Sequence, residues 1–217
     1  MKKVAIGCGI VLLVVGVAVV GIGYYGYMKV KGTVAQLAEL GQFADIEKGV
    51  KNKSSFTPPA SKELTAAQVD RLLQVQTRVH DKLGAGAAAM ERNYKTLLDK
   101  KDGTTNVTDL PALLGAYKDL ARLLVDAKRT QVEVLNELNM SVDEYRWIKS
   151  EVYHSLGVPF VDMDLSQIAE RTKNGSTAGT LAFNGVPGDK PLEANVKLVE
   201  KHRKQFEDYM ALASFGL

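Results

Sequence analysis

The sequence predicts an all-α protein: one N-terminal transmembrane helix followed by an extracytoplasmic up-down bundle of about four main helices. Three observations predict it. Residues Val4 to Met28 contain no charged side chain. Beyond them, apolar residues recur at three- and four-residue steps, the spacing of one helix face. No segment alternates apolar and polar residues as a half-buried strand does. The expected organisation is a transmembrane signal anchor over 1–31, a helical stalk and Pro-containing linker over 32–62, and a helical bundle domain over 63–217. A long Gly-rich loop is expected inside the last, at 174–191.

The span comes first. About 25 residues at about 1.5 Å each reach roughly 37 Å, enough for a hydrocarbon core of about 30 Å with some tilt. A cleavable signal has a shorter apolar core and a small-x-small site. This run is longer and ends in Tyr24, Tyr25 and Tyr27, which suit a membrane–water interface. A retained anchor is therefore expected, with the N-terminus cytoplasmic and the domain periplasmic or extracellular. Lys2 and Lys3 nearly balance Lys29 and Lys31 across the span. The orientation therefore rests on the usual behaviour of an N-terminal anchor before a long polar domain. Cys8 is the only cysteine, which excludes an internal disulfide and a multi-cysteine metal site. Ala5-Ile6-Gly7-Cys8 has the outline of a lipidation site, but the long apolar run follows Cys8 instead of preceding it.

Gly9, Gly16 and Gly23 are spaced by seven and lie near one helix face. Small residues let backbones approach closely in lipid, where no hydrophobic drive joins helices. These glycines are the candidate transmembrane packing face, against the alternative that glycine is simply common in membrane helices. The expected partners are the lipid bilayer and other membrane subunits or a second copy of this chain.

In chain order, Thr33 to about Asn52 reads as helix through Val34, Leu37, Phe43, Ala44 and Val50. Pro58-Pro59 among small polar residues breaks it. Thr65 and Gln68 form a capping box, with Leu64 and Val69 as its hydrophobic staple. Similar starts occur at Ser141 to Glu144 and at Asp164 to Gln167. The helix from Thr65 carries Val69, Leu72, Leu73, Val79 and Leu83, crosses the small-residue patch Gly84 to Ala89, and resumes to Leu98. That patch admits close approach of a neighbouring helix.

The strongest period runs from Leu110 through Leu120, Ala121, Leu124, Gln131 and Leu135 to Leu138, with Pro111 in the first turn. Ser141 caps a helix through Tyr145, Ile148, Val152 and Leu156, which Gly157 and Pro159 stop. A short helix follows Asp164, to about Lys173. A final helix runs from Leu192 through Val199 and Phe206 to Ala213. The aperiodic stretch 174–191 is longer than compact domains usually allow and suits docking.

Charge says little about substrate. Lys and Arg total 28 against 25 Asp and Glu. The two lysines ahead of the span leave 26 basic residues against 25 acidic beyond it. Nothing here points to nucleic acid. Glu151 and His154 form E-x-x-H, the spacing of carboxylate di-iron bundles, but those sites need a second such pair. A solvated helix-face pair is the expected reading. No phosphate loop, nucleophile elbow, C-x-x-C or H-E-x-x-H is present. No catalytic residue, cofactor, metal or small-molecule substrate is expected. Trp147, the only tryptophan, reads as a core anchor or an exposed hot spot; with Phe183 it is a candidate partner contact.

Leu64-Thr65-Ala66-Ala67-Gln68 resembles the LTxxQ motif of small helical periplasmic chaperones of the Spy and CpxP type. The resemblance implies an all-α, dimeric protein that shields clients on a concave surface. It covers five residues. The second motif of that family has no match, since Met140-Ser141-Val142-Asp143-Glu144 departs from it, and that family is soluble. Capping accounts for the motif without kinship, and no family is claimed. The leading expectation is a non-enzymatic, membrane-anchored accessory or scaffold subunit of a larger complex. The alternatives are an anchored chaperone-like binder and a metal bundle enzyme using Glu151 and His154.

Overall fold

A computed structural model of the 217-residue chain describes residues 42–93, 110–158, 166 and 190–217. Within them six helices and no strand are found: α1 Gln42–Glu47, α2 Ala66–Asn93, α3 Leu110–Glu137, α4 Val142–Ser155, α5 Glu193–Glu200 and α6 Arg203–Ser214. The all-α expectation holds for these residues. None of these helices is long and apolar enough to cross a membrane. The run Val4–Met28, with Gly9, Gly16 and Gly23, lies outside the described residues, as do Phe183 and nearly all of the 174–191 loop. Of the helix expected after Asp164 only Ser166 is described, and it is helical and buried.

Backbone packing divides the chain into two compact units, Met1–Leu40 with Lys82–Asp126, and Gly41–Asp81 with Ala127–Leu217. In the described part of the first, α2 passes through Gly84-Ala85-Gly86 without a break. A Cβ on Gly86 would collide with Leu123 Cδ1 of α3, whereas one on Gly84 would meet nothing within 4 Å. The close approach expected of the small-residue patch therefore rests on one glycine.

In the second unit the helix starts follow local chemistry. Thr65 N donates to Gln68 Oε1 at 2.9 Å, and Gln68 N donates to Thr65 Oγ1 at 3.2 Å. That is the reciprocal capping box. At α4 the box is half made. Glu144 N donates to Ser141 Oγ at 3.2 Å, but the Glu144 carboxylate goes to Arg71 instead of back to its own cap.

Helix ends are equally well defined. After α3, Asn139 takes φ +48°, its N–H reaches Asn136 O, and Met140 N reaches Leu135 O at 2.9 Å. After α6 the same pattern uses Gly216 at φ +79°, with Leu217 N reaching Leu212 O. Both are Schellman closures in which the residue after the left-handed position is apolar and buried.

Two expected helices are shorter than the sequence suggested. The one expected to reach Asn52 ends at Glu47. There the Asn136 side chain competes for the backbone, donating to Gly49 O at 3.1 Å and accepting from Lys51 N at 2.6 Å. The single C-terminal helix is two, α5 and α6, separated at Lys201–His202. Arg203, at the start of α6, donates to Leu156 O at the end of α4 at 3.1 Å, a tertiary tie with no local signal.

The core of this unit is built from the predicted faces: Val69, Leu72 and Val79 of α2, Leu135 of α3, Ile148 and Val152 of α4, Val199, and Phe206 and Ala213 of α6.

Candidate interaction surface

Within the second unit, residues 42–64 form an arm laid along its helices. Phe43, Ala44, Val50 and Leu64 are buried at its two ends. The arm follows α3 in the same direction. Glu47 meets Lys128, a Cβ on Gly49 would lie 3.5 Å from Val132, and Asn52 Nδ2 donates to Asn139 O at 2.7 Å. The Glu47 carboxylate serves two cations, Lys128 Nζ and Arg146 Nη2, each at 2.7 Å. The Lys128 side chain is 3% exposed and Glu47 17%. A lysine this dry needs a carboxylate, because an unpaired buried charge is costly.

The far end of the arm is fixed by Asn195, which is buried. Its Oδ1 accepts from Leu64 N at 2.8 Å and its Nδ2 donates to Lys62 O at 3.0 Å. One side-chain amide thus supplies both a donor and an acceptor to the irregular backbone here.

Between these fixings the chain runs through Ser54-Ser55-Phe56-Thr57-Pro58-Pro59-Ala60-Ser61. The Phe56 ring lies against Trp147 of α4, with centroids 5.2 Å apart and planes tilted by 39°. Both residues are half-buried. Trp147 is therefore neither a sealed core anchor nor a bare hot spot. It is one wall of a shallow aromatic contact whose other wall comes from the proline-rich segment. Phe183, the other candidate partner contact, lies outside the described residues.

Behind this surface lies a buried polar column on one face of α4, formed by Tyr145, Lys149 and Tyr153 at four-residue steps. Lys149 is fully buried; its Nζ donates to Ala213 O at 3.1 Å and lies 5.9 Å from the Tyr145 ring centre. Tyr153 Oη lies 3.1 Å from Phe206 O and 3.3 Å from the Gln76 amide. A phenol has one hydrogen, and Phe206 O takes it. Turning the Gln76 amide so that Nε2 donates to the phenol gives that nitrogen the partner it otherwise lacks. Burial pushes the Tyr153 phenol well above its usual 10.0, the phenols of Tyr145 and Tyr209 add to this, and the Gln76 contact opposes it. Gln131 of α3, buried as its place in the apolar period required, donates to Gly216 O at 2.9 Å.

Glu151 and His154 do not assemble a metal centre among the described residues, where no group of three or more His, Cys, Asp or Glu could hold an ion. His154 is buried at the last turn of α4 and Glu151 is half-buried. His202 sits at the α5–α6 break with its ring edge-on to Phe206. Its Nε2 is buried and makes no hydrogen bond. The neighbouring Arg203 is held by Glu200 at 2.8 and 2.9 Å and by Glu207 at 3.2 Å. The hydrogen bond to Arg203 keeps the Glu200 carboxyl below its ordinary range.

Several residues that shape this surface carry no signal in the sequence. Phe56 lies in a segment that reads only as a breaker. Asn136, Asn139 and Asn195 look like ordinary polar helix or turn residues. Only Lys128 and Lys149 left a trace, as charges falling on otherwise apolar helix faces. Compared with protein-family models, with curated proteins and with solved structures, the chain matches none.

Proposed function

We propose that this protein is a non-enzymatic accessory or scaffold subunit of a membrane complex. It is anchored by Val4–Met28 and binds partners through that helix and through its helical domain. The observation that carries the reading is the uncharged run of about 25 residues with glycines at 9, 16 and 23. In this proposal the domain lies outside the cytoplasm and the amino terminus inside.

The Phe56–Trp147 surface supports a binding role. Aromatic side chains are enriched where interfaces form, and both of these are partly exposed. The chaperone alternative rests on one motif, and Thr65 and Gln68 of that motif are engaged in capping α2.

Two measurements test the reading. Alkaline carbonate extraction of membranes should leave the full chain in the pellet. Purification in mild detergent followed by native mass spectrometry should then show stoichiometric partner subunits or further copies. A chain released by carbonate, or one that flies as a clean monomer, would sink it.

A further inference from the structure

The arm is held firmly at both ends and barely at all between them. On one side Asn136 and Asn139 grip Gly49, Lys51 and Asn52 through three hydrogen bonds of 2.6 to 3.1 Å. On the other, Asn195 grips Lys62 and Leu64. Residues 55–61 make no hydrogen bond to any described residue outside the arm; their bonds are local, such as Lys62 N to Pro59 O at 2.9 Å. Among the described residues, the Phe56–Trp147 ring contact attaches this stretch to α4. Ser55 and Thr57 through Ser61 are exposed. Pro58 and Pro59 fix φ at two successive positions, which stiffens the stretch. At its lower end Lys62 takes φ +54°, a strained value for a side chain with a Cβ and one that a hinge movement would relieve.

We propose that residues 55–61 form a flap that opens as a unit while the asparagine clamps on either side stay shut, alternately covering and presenting Trp147. Phe56 then acts as an internal plug on the tryptophan. The inference does not depend on the membrane reading, since it rests on contacts within the second unit alone.

Trp147 is the only tryptophan, so one fluorinated indole reports on it without assignment. The full chain labelled with 5-fluorotryptophan should give two exchanging fluorine environments by saturation transfer. In Phe56→Ala the open environment should grow about two- to twelve-fold relative to the closed one, the range set by the usual strength of an aromatic pair. Hydrogen exchange at Lys51 and Leu64, whose amides are the clamped ones, should stay as slow in the variant as in the parent. A single fluorine environment without saturation transfer in the parent chain would overturn the proposal, and this holds even if Phe56→Ala fails to fold. So would a Phe56→Ala resonance unchanged from the parent, or loss of clamp protection together with flap opening.

Discussion

Two glycines in α2 stand two residues apart in opposite circumstances. Gly84 faces open space, so Gly84→Ala should gain the ordinary helix-propensity difference of about 0.5–1 kcal/mol. Gly86→Ala gains the same term but drives a methyl into Leu123, whose side chain must move. Overpacking of this kind costs about 1–3 kcal/mol, so the variant should fall below the parent. Urea melts of the two variants check the contrast; equal shifts would show that Leu123 does not press on α2. Tyr153 makes a second residue-scale prediction. Its folded pKa is raised, so its contribution is complete below the unfolded value near 10.0 and is lost as pH rises beyond it. Stability should then fall by up to about 1.4 kcal/mol per pH unit from this group alone. Phenolate absorbance should show one tyrosine of the eight ionising only as helical ellipticity is lost. Titration of all eight at full helicity would contradict it.

Among the elements, the arm and its ion node behave as one piece. Glu47→Gln leaves Lys128 buried without its carboxylate. The cost should be about 2–3 kcal/mol, less than the 3–5 typical of a sealed pair because Glu47 keeps some contact with water. Adding Lys128→Met removes the stranded charge and should recover part of that loss. A double-mutant cycle by denaturant unfolding reads the coupling, and strict additivity would mean the pair is not coupled. At this scale the sequence was partly legible, for an identifiable reason. Thr65, Gln68 and Ser141 announce helix starts because a cap is settled within four residues. The α3 period is plain from Leu110 to Leu138 because apolar residues recur at every turn of one face. The α5–α6 break is invisible because Lys201 and His202 are acceptable helix formers; the break belongs to Arg203 and Leu156, 47 positions apart. The arm is invisible for the same reason. Its fixings are asparagine side chains 85 to 133 positions away, and nothing near Phe56 names Trp147 as its neighbour.

For the molecule as a whole, the arm decides what can stand alone. A fragment beginning at residue 64 keeps five of the six described helices but loses Phe43 and Val50 from the core, along with Glu47. Each apolar side chain is worth about 1.5–3 kcal/mol. The fragment should therefore be several kcal/mol less stable than one beginning at residue 42, by thermal or urea unfolding. Equal midpoints would show that the arm is an appendage. The asparagine clamps also fix an order of events during synthesis. The arm leaves the ribosome before the helices that hold it, and Asn195, which closes its far end, lies 131 residues after Leu64. At about 5–20 residues per second the arm waits roughly 7–26 s for its last partner to be made. Phe56 is without its seat for part of that interval, until Trp147 has been made, which makes the nascent chain, more than the finished fold, the form of this protein most in need of protection.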